Sequence, residues 1–265
     1  MYNTNSYVPI LTADGSMTLL DQQNDLHFRS LRGARSESEY VFFESSRLQA
    51  QSFPWTVLEL GLGTGLNFLV TATHALQQQH HHPAAALVYH VVEANPLPLD
   101  AFEALGHATR FAEPLYTLLY QALSQTRPGQ VTEVHTGPIR LFLYHGRWQE
   151  TALPESLAVH SIYHDPFGPK DNPDCGTADC FRWSGRHLRD EGRLVTYAAN
   201  TPLRRAMVEA GLYIAAQRGS QLKREMTVAS PRLETLKGYD GVEVLRKQTY
   251  YLACLERRPR REDLL

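Results

Sequence analysis

The sequence predicts an α/β fold built on a mostly parallel sheet, and three observations support this prediction. Short apolar runs of strand length alternate along the chain with segments of helical periodicity. A glycine-rich turn joins the first core run, 56–60, to the helical segment 66–76. The 265 residues are 43% hydrophobic and 20% charged, the profile of a soluble globular protein with one sizeable core.

The first 52 residues are polar and rich in turns, and we expect them to form an N-terminal extension packed on a core domain of residues 53–265. The segment Asp14-Gly15-Ser16 predicts a turn, and residues 17–20 predict a short strand. Residues 36–48 have helical character, and Ser36 and Glu39 have the spacing of a capping box.

The predicted core alternates strands and helices in the order expected of a Rossmann-like sheet covered on both faces. Thr201 and Pro202 predict the start of the last helix, as its cap and first residue, and Gly211 predicts its end. Two final strands are expected to be antiparallel. The strands are predicted at 56–60, 87–92, 139–144, 159–163, 192–198, 226–229 and 250–255, and the other helices at 66–76, 98–105, 114–123 and 177–188.

Composition argues against membrane, secreted and metal-binding classes. No apolar run approaches the ~18–20 residues of a membrane span, and the N-terminus has no secretory signal pattern. The three cysteines, an odd and low number, fit free thiols in a reducing cytosol, so a cytoplasmic protein is expected. The histidines at 80–82 are consecutive, so their side chains do not converge on one ion, and they lie where a surface loop is expected. No metal site is therefore predicted.

The charge of the chain is close to balanced but unevenly distributed. The formal net charge is -2, while residues 218–261 contain eleven Lys or Arg and five Asp or Glu. That stretch is either a basic face or a solvated tail. Charge alone therefore neither supports nor excludes a nucleic-acid partner.

The strongest motif is the glycine-rich turn that follows the strand 56–60. Glycines here let the backbone turn tightly and approach a ligand closely. The spacing G-x-G-x-G, together with Glu59 at the strand end, differs from the G-x-G-x-x-G of dinucleotide binders and disfavours an NAD-dependent dehydrogenase. The pattern favours S-adenosylmethionine, whose amino-acid moiety has no pyrophosphate to place at the helix N-terminus.

Two further positions extend this site. Glu93 ends the next strand, 28 residues after Gly65, where a carboxylate can accept both ribose hydroxyls; the alternative is a surface residue that caps a loop. The loop 164–173 follows a later strand at the ligand crevice of such sheets, and its prolines make it rigid. With Asp165 at its base it suits the positioning of a nucleophile, although proline-rich connectors are common.

These motifs together carry a resemblance to a known family. They are Asp14-Gly15-Ser16, the segment 38–42, the loop 59–68, the loop 165–173 and the segment 223–226. Over residues 14 to 230 the chain resembles the tRNA wobble-uridine methyltransferases of the MnmC-like or MnmD type. The resemblance implies an S-adenosylmethionine-dependent N-methyltransferase that converts 5-aminomethyl-2-thiouridine into 5-methylaminomethyl-2-thiouridine in the anticodon region of tRNA.

The bifunctional members of this family carry a fused FAD-dependent oxidase. The present chain ends before such a domain, so the resemblance implies a stand-alone methyltransferase and a functional partnership with a separate oxidase. Direct methyl transfer requires an aligned, neutral amine, and Asp165 is the expected residue to hold that amine and accept a proton.

The resemblance also assigns roles to individual positions. Asp165 would lie beside the methyl group and the target amine. The expected cofactor-binding residues are Glu59, Gly61, Gly63, Gly65, Asn67, Glu93 and Asp165. The expected substrate-binding residues, which include cations for RNA phosphates, are Phe167, Lys170, Asn172, Arg204, Lys223 and Arg224.

The chain departs from the family pattern at two places. Arg147 follows Gly146 where the family commonly has an aspartate that contacts the adenine, and no tryptophan follows Asn172-Pro173. Two alternatives therefore stay open: a methyltransferase of similar core acting on a small molecule or protein, and a non-catalytic member of the family. The loop around Asp165 argues against the second, because a binding module does not need it.

Overall fold

The computed structural model describes residues 6–220 and 225–239, and its centre is an eight-stranded mixed sheet. A separate sheet of three short antiparallel strands precedes it in the chain. The small sheet contains β1 (Tyr7–Leu11), β2 (Met17–Asp21) and β3 (Leu26–His27). The large sheet contains β4 (Trp55–Leu60), β5 (Leu87–Glu93), β6 (Val131–Thr136), β7 (Ile139–His145), β8 (Val159–His164), β9 (Leu188–Thr196), β10 (Tyr213–Arg218) and β11 (Glu225–Ser230).

The strand order of the large sheet is β10-β11-β9-β8-β4-β5-β7-β6. The five strands from β9 to β7 are parallel, whereas β6 and β11 pair antiparallel at the two sides. Every residue of β4 and β8 is buried, because helices cover both faces of the central strands. The carboxyl ends of β4, β5 and β8 therefore meet at one edge, where such sheets bind their ligands.

Helices cover the two faces of the large sheet and form two hydrophobic clusters. Successive residues of β8 show the alternation, since Tyr163 belongs to one cluster and Ile162 to the other. The first face carries α2 (Leu66–Gln78), α3 (Leu99–Ala104) and α4 (Glu113–Gln125), and the second carries α5 (Ala178–Gly185) and α6 (Thr201–Glu209).

The N-terminal segment packs on the first face. Its helix begins as α1 (Ala34–Glu37) and continues in π-helical geometry over Ser38–Glu44, where Phe42 contacts Tyr163 of the sheet with ring centroids 5.5 Å apart. The predicted capping box does not form. The N-terminus of this helix is instead capped from the preceding turn, where the Asp14 carboxylate accepts the backbone N–H of Ser36 at 2.8 Å. Glu39 instead binds the His74 ring at 2.7 Å.

The elements predicted from the sequence within the described residues are present, with shifted ends. Asn200, not Thr201, caps α6, since its side chain accepts the backbone N–H of Leu203 at 2.9 Å. The strand predicted at 250–255 lies outside the described residues. Four strands were not predicted: Tyr7–Leu11, Leu26–His27, Val131–Thr136 and Tyr213–Arg218.

Two properties bear on the class of protein. Among residues 6–220 and 225–239, no helix combines the length and apolar character that a membrane crossing requires. Over the same ranges, no group of His, Cys, Asp and Glu side chains could hold a metal ion. Cys175 and Cys180 are free thiols, and Cys254 lies outside the described part of the chain.

Candidate active site

The glycine-rich turn between β4 and α2 touches the loop that follows β8. Gly61 has a φ of +87°, and a Cβ at this position would lie 3.0 Å from the backbone oxygen of Asp165. The backbone N–H of Asp165 in turn donates to the carbonyl of Leu60 at 3.0 Å. Only glycine combines this φ with so close an approach, so the two predicted loops lie in direct contact.

A buried polar network joins the same two loops through their side chains. The Asn67 amide donates to Glu59 Oε1 at 2.7 Å and to Asp165 Oδ2 at 2.9 Å. Tyr89 of β5 donates its hydroxyl to Glu59 Oε2 at 2.9 Å. Three residues predicted to form the cofactor site are therefore in one hydrogen-bonded cluster.

Arg29, which sequence reasoning did not select, completes this cluster from the N-terminal segment. Its guanidinium Nη2 lies 2.5 Å from Asp165 Oδ2, and the two side chains are 3% and 8% exposed. The guanidinium also lies over the Phe42 ring, 5.4 Å from its centroid. No local pattern marks Arg29, because the contact depends on how a distant segment packs.

The cluster places two carboxyl groups close together in a buried environment. Burial and then the charge of Asp165 raise the pKa of Glu59 to about 8, although Arg29 opposes the rise. Burial lowers the pKa of Arg29, but the carboxyl groups of Asp165, Glu37 and Glu59 bring it above its ordinary value. These effects favour the charged form of Arg29 and the protonated form of Glu59.

Glu93 lies at the end of β5 beside the glycine-rich turn. Its Oε2 accepts the backbone N–H groups of Leu62 and Gly63 at 2.8 and 3.2 Å, and its Oε1 accepts that of Asn95 at 2.8 Å. The half-buried carboxylate therefore lies where the sequence predicts a residue that binds the ribose of the cofactor. Its hydrogen bonds to the turn also stabilise the conformation of the turn. Arg147, at the next strand end, is exposed.

The loop after β8 forms one wall of a cavity of about 210 Å³, whose other wall follows β9. The predicted substrate residues Phe167 and Asn172 line it, while Lys170 is exposed on the same loop. Phe167 packs edge-on against Phe28 at 5.1 Å. Tyr197 donates its hydroxyl to the carbonyl of Pro166 at 2.9 Å, which ties the two walls together.

The structure corrects the prediction that Arg204 binds substrate. Its buried guanidinium donates to the Thr227 hydroxyl at 2.9 Å, to Glu225 at 2.8 Å and to the Met226 carbonyl at 3.2 Å. Arg204 therefore fastens α6 to β11 and faces away from solvent. Lys223 and Arg224 lie outside the described residues.

The residues of this site fit S-adenosylmethionine. The carboxylates of Glu93 and Asp165 lie at this site beside the carboxyl group of Glu59, and acidic groups suit a ligand with ammonium and sulfonium groups rather than a pyrophosphate. Asn67 Oδ1 is buried and has no hydrogen-bond partner among the described residues. A buried acceptor of this kind indicates a donor from a ligand.

Comparisons with known proteins agree with this assignment. Residues 110–232 match the family model described as S-adenosyl-L-methionine-dependent methyltransferase. The bifunctional protein MnmC of Ralstonia nicotianae, named for tRNA 5-methylaminomethyl-2-thiouridine biosynthesis, is 33% identical over 84% of this chain and 34% of its own length. The MnmC protein of Burkholderia vietnamiensis is 32% identical over 75% of this chain and 31% of its own.

The fold agrees as well, since the crystal structure of MnmC2 from Aquifex aeolicus superposes with a TM-score of 0.68. It is 23% identical and covers 85% of this chain and 70% of its own. Residues 110–232 therefore resemble the S-adenosyl-L-methionine-dependent methyltransferases, and the family match and the residues of the site both indicate S-adenosyl-L-methionine as the cofactor. The relatives of the chain are the MnmC proteins, of whose length it spans about a third.

Proposed function

We propose that the protein methylates the amine of 5-aminomethyl-(2-thio)uridine at the wobble position of tRNA, giving 5-methylaminomethyl-(2-thio)uridine. The name of the MnmC relatives supports this substrate. The observation that carries the proposal is the contact between the two loops, where Asn67 bridges Glu59 and Asp165. This contact brings a rigid loop with a carboxylate against the cofactor-binding turn.

Different residues of the chain would bind the cofactor and position the amine. Gly61, Gly63 and Gly65 would admit the cofactor against the backbone, with Glu59 and Asn67 beneath it and Glu93 at its ribose. When bound, S-adenosylmethionine supplies an electrophilic methyl group. Asp165, fixed by Arg29 and Asn67, would orient the amine so that its nitrogen forms the new N–C bond as the S–C bond breaks. The carboxylate would accept the proton that the amine loses.

Binding of tRNA would use the edge of the sheet near this loop. Phe167 and Asn172 line the adjacent cavity, and the exposed Lys170 on the same loop can contact a phosphate. Lys223 and Arg224 would add phosphate contacts. We place the reaction in the cytoplasm. We propose an oxidase as functional partner, as the resemblance of the sequence implies, and the name bifunctional of the MnmC relatives agrees with a second activity.

A second candidate is methylation of an amine on a small molecule or a protein. Two observations favour it: Arg147 is exposed at the strand end where the family pattern has an acidic residue, and no tryptophan follows Asn172-Pro173. A single comparison separates the candidates.

The test is transfer of labelled methyl from S-adenosylmethionine to tRNA from cells that lack the wobble methyltransferase. Fully modified tRNA serves as the matched control, because its amine is already methylated. Labelling of the first tRNA alone supports the proposal. Cofactor binding without labelling of either tRNA would favour the second candidate.

A further inference from the structure

The cavity beside Asp165 has the size and walls of a site for one flat ring. Its volume of about 210 Å³ is below the ~300–1,000 Å³ of pockets that take larger ligands. The residues that line it include two prolines and a phenylalanine of the loop after β8 and two residues from beyond β9, namely Pro166, Pro173, Phe167, Tyr197 and Leu203. Flat apolar and aromatic walls of this kind suit the faces of a nucleobase.

The position of the cavity relates it to methyl transfer. Pro166, which lines it, directly follows Asp165 in the chain. Asp165 itself does not line the cavity, so a ring held there would reach the carboxylate through a substituent that extends past Pro166, as the aminomethyl group of the proposed substrate would.

His164 is the feature of this cavity that the reaction outlined above does not use. It ends β8, lines the cavity and is 1% exposed, with its ring packed on Phe181 at 4.8 Å. Neither ring nitrogen has a hydrogen-bond partner among the described residues. Buried polar groups in native proteins are nearly always paired, so an unpaired imidazole in a cavity wall points to a ligand that supplies the partner.

The chemistry of His164 matches the edge of a pyrimidine. Burial lowers the pKa of His164 to about 3, so its ring is neutral and offers one N–H donor and one acceptor. A uracil edge alternates carbonyl and N–H groups and can use either one. A protonated ring would instead offer two donors and favour an anion.

We infer that this cavity holds the pyrimidine ring of the target uridine, turned out of the anticodon loop, and that His164 hydrogen bonds its polar edge. The inference rests on the proposed function and names the group that selects the base. His164 is thus a specificity-determining residue, while Asp165 acts on the amine. Single-stranded RNA loops present their bases in this splayed manner.

The test measures kcat/KM for tRNA, the Kd for S-adenosylmethionine and the Tm in three variants. His164→Leu is expected to lower kcat/KM at least about tenfold, because it leaves a base group unpaired. Its cofactor Kd and Tm should stay unchanged. His164→Asn keeps a donor and an acceptor and should recover part of the loss. Ala198→Phe, which fills the cavity from its wall, should abolish transfer and retain cofactor binding.

His160→Leu on the same strand is the matched control. The His160 ring accepts the backbone N–H of Thr56 at 3.1 Å, so this variant should lose stability and keep its kcat/KM. Unchanged kcat/KM in His164→Leu, or full activity in Ala198→Phe, overturns the inference and leaves the proposed function intact. Absence of tRNA methylation by the wild-type protein overturns the proposed function and the inference together.

Discussion

Arg29 and Asp165 form a buried ion pair that joins the N-terminal segment to the loop after β8, with 2.5 Å between guanidinium nitrogen and carboxylate oxygen. Asn67 donates to the same carboxylate oxygen at 2.9 Å. The carboxylate assigned to the reacting amine therefore has its orientation set by two elements distant in sequence. Such preorganisation is what an aligned methyl transfer requires.

Replacing Arg29 is expected to destabilise the protein strongly. Arg29→Met removes the guanidinium that pairs with Asp165, and breaking a buried pair typically costs about 3–5 kcal/mol. Denaturant unfolding of the variant measures the loss. Arg127→Met, which changes an exposed arginine that donates to carbonyls of its own turn, is the control and should change stability little. Equal stability of Arg29→Met and the wild type would contradict the account of this pair.

The raised pKa of Glu59, about 8, predicts a particular pH dependence. Between its ordinary pKa of 4.5 and pH 8 the folded protein keeps a proton that the unfolded chain releases. The contribution of Glu59 to stability is therefore present below pH 4.5 and is lost as pH rises to 8. Glu59→Gln imitates the protonated side chain and should remove this dependence.

The measurement is Tm from pH 5 to pH 8.5 for both proteins. The comparison is needed because buried histidines act in the opposite sense; burial lowers the pKa of His107 and His160 to about 4. The wild type should lose stability relative to Glu59→Gln as pH rises. Parallel curves for the two proteins would show that Glu59 is ionised throughout.

Gly61→Ala is expected to weaken cofactor binding at least about tenfold, which corresponds to a loss of about 1.4 kcal/mol of binding free energy. The added Cβ would press on the backbone oxygen of Asp165 and separate the two loops. Gly129→Ala is the matched control, because Gly129 has a similar φ of +74° but open space around its Cβ position. Calorimetric titration with S-adenosylmethionine should distinguish them. Identical affinities would mean that the loop contact does not shape the cofactor site.

The contiguous parts of the site were predictable from the sequence because one motif carries them. The strand, the glycine-rich turn and the helix from Glu59 to Asn67 are adjacent in the chain, and their spacing determines their geometry. Glu93 and Asp165 were predictable for a related reason, since the ends of parallel strands meet at one edge. Their assigned roles in binding and catalysis, and the boundary after residue 52, stay predictions.

Residues whose role depends on long-range packing were not predictable. Arg29 reaches Asp165 only because the N-terminal segment packs on the sheet. Arg204 reads as a surface cation next to Arg205, yet it turns inward to bind β11. The edge strand β6 was not predicted because four of the six residues of Val131–Thr136 are polar and only alternate positions are buried.

Asp165→Asn is expected to lower kcat for methyl transfer by at least about 100-fold, the lower range for loss of a positioned proton acceptor. The variant keeps the volume of the side chain but removes the charge that pairs with Arg29, so the Tm and the cofactor Kd are measured alongside, and the loss in kcat should exceed any loss in cofactor affinity. Single-turnover assays at saturating cofactor measure the chemical step. Normal turnover would remove Asp165 from the reaction and leave it the role of orienting its loop.

The most direct test of the account is the location of the transferred methyl group. After reaction of the wild-type protein with labelled S-adenosylmethionine and tRNA lacking the wobble methylation, complete nuclease digestion and nucleoside chromatography identify the labelled nucleoside. The account predicts label in the 5-methylaminomethyl uridine nucleoside at the wobble position. Label in any other nucleoside, or none in tRNA while the protein binds the cofactor, would contradict it.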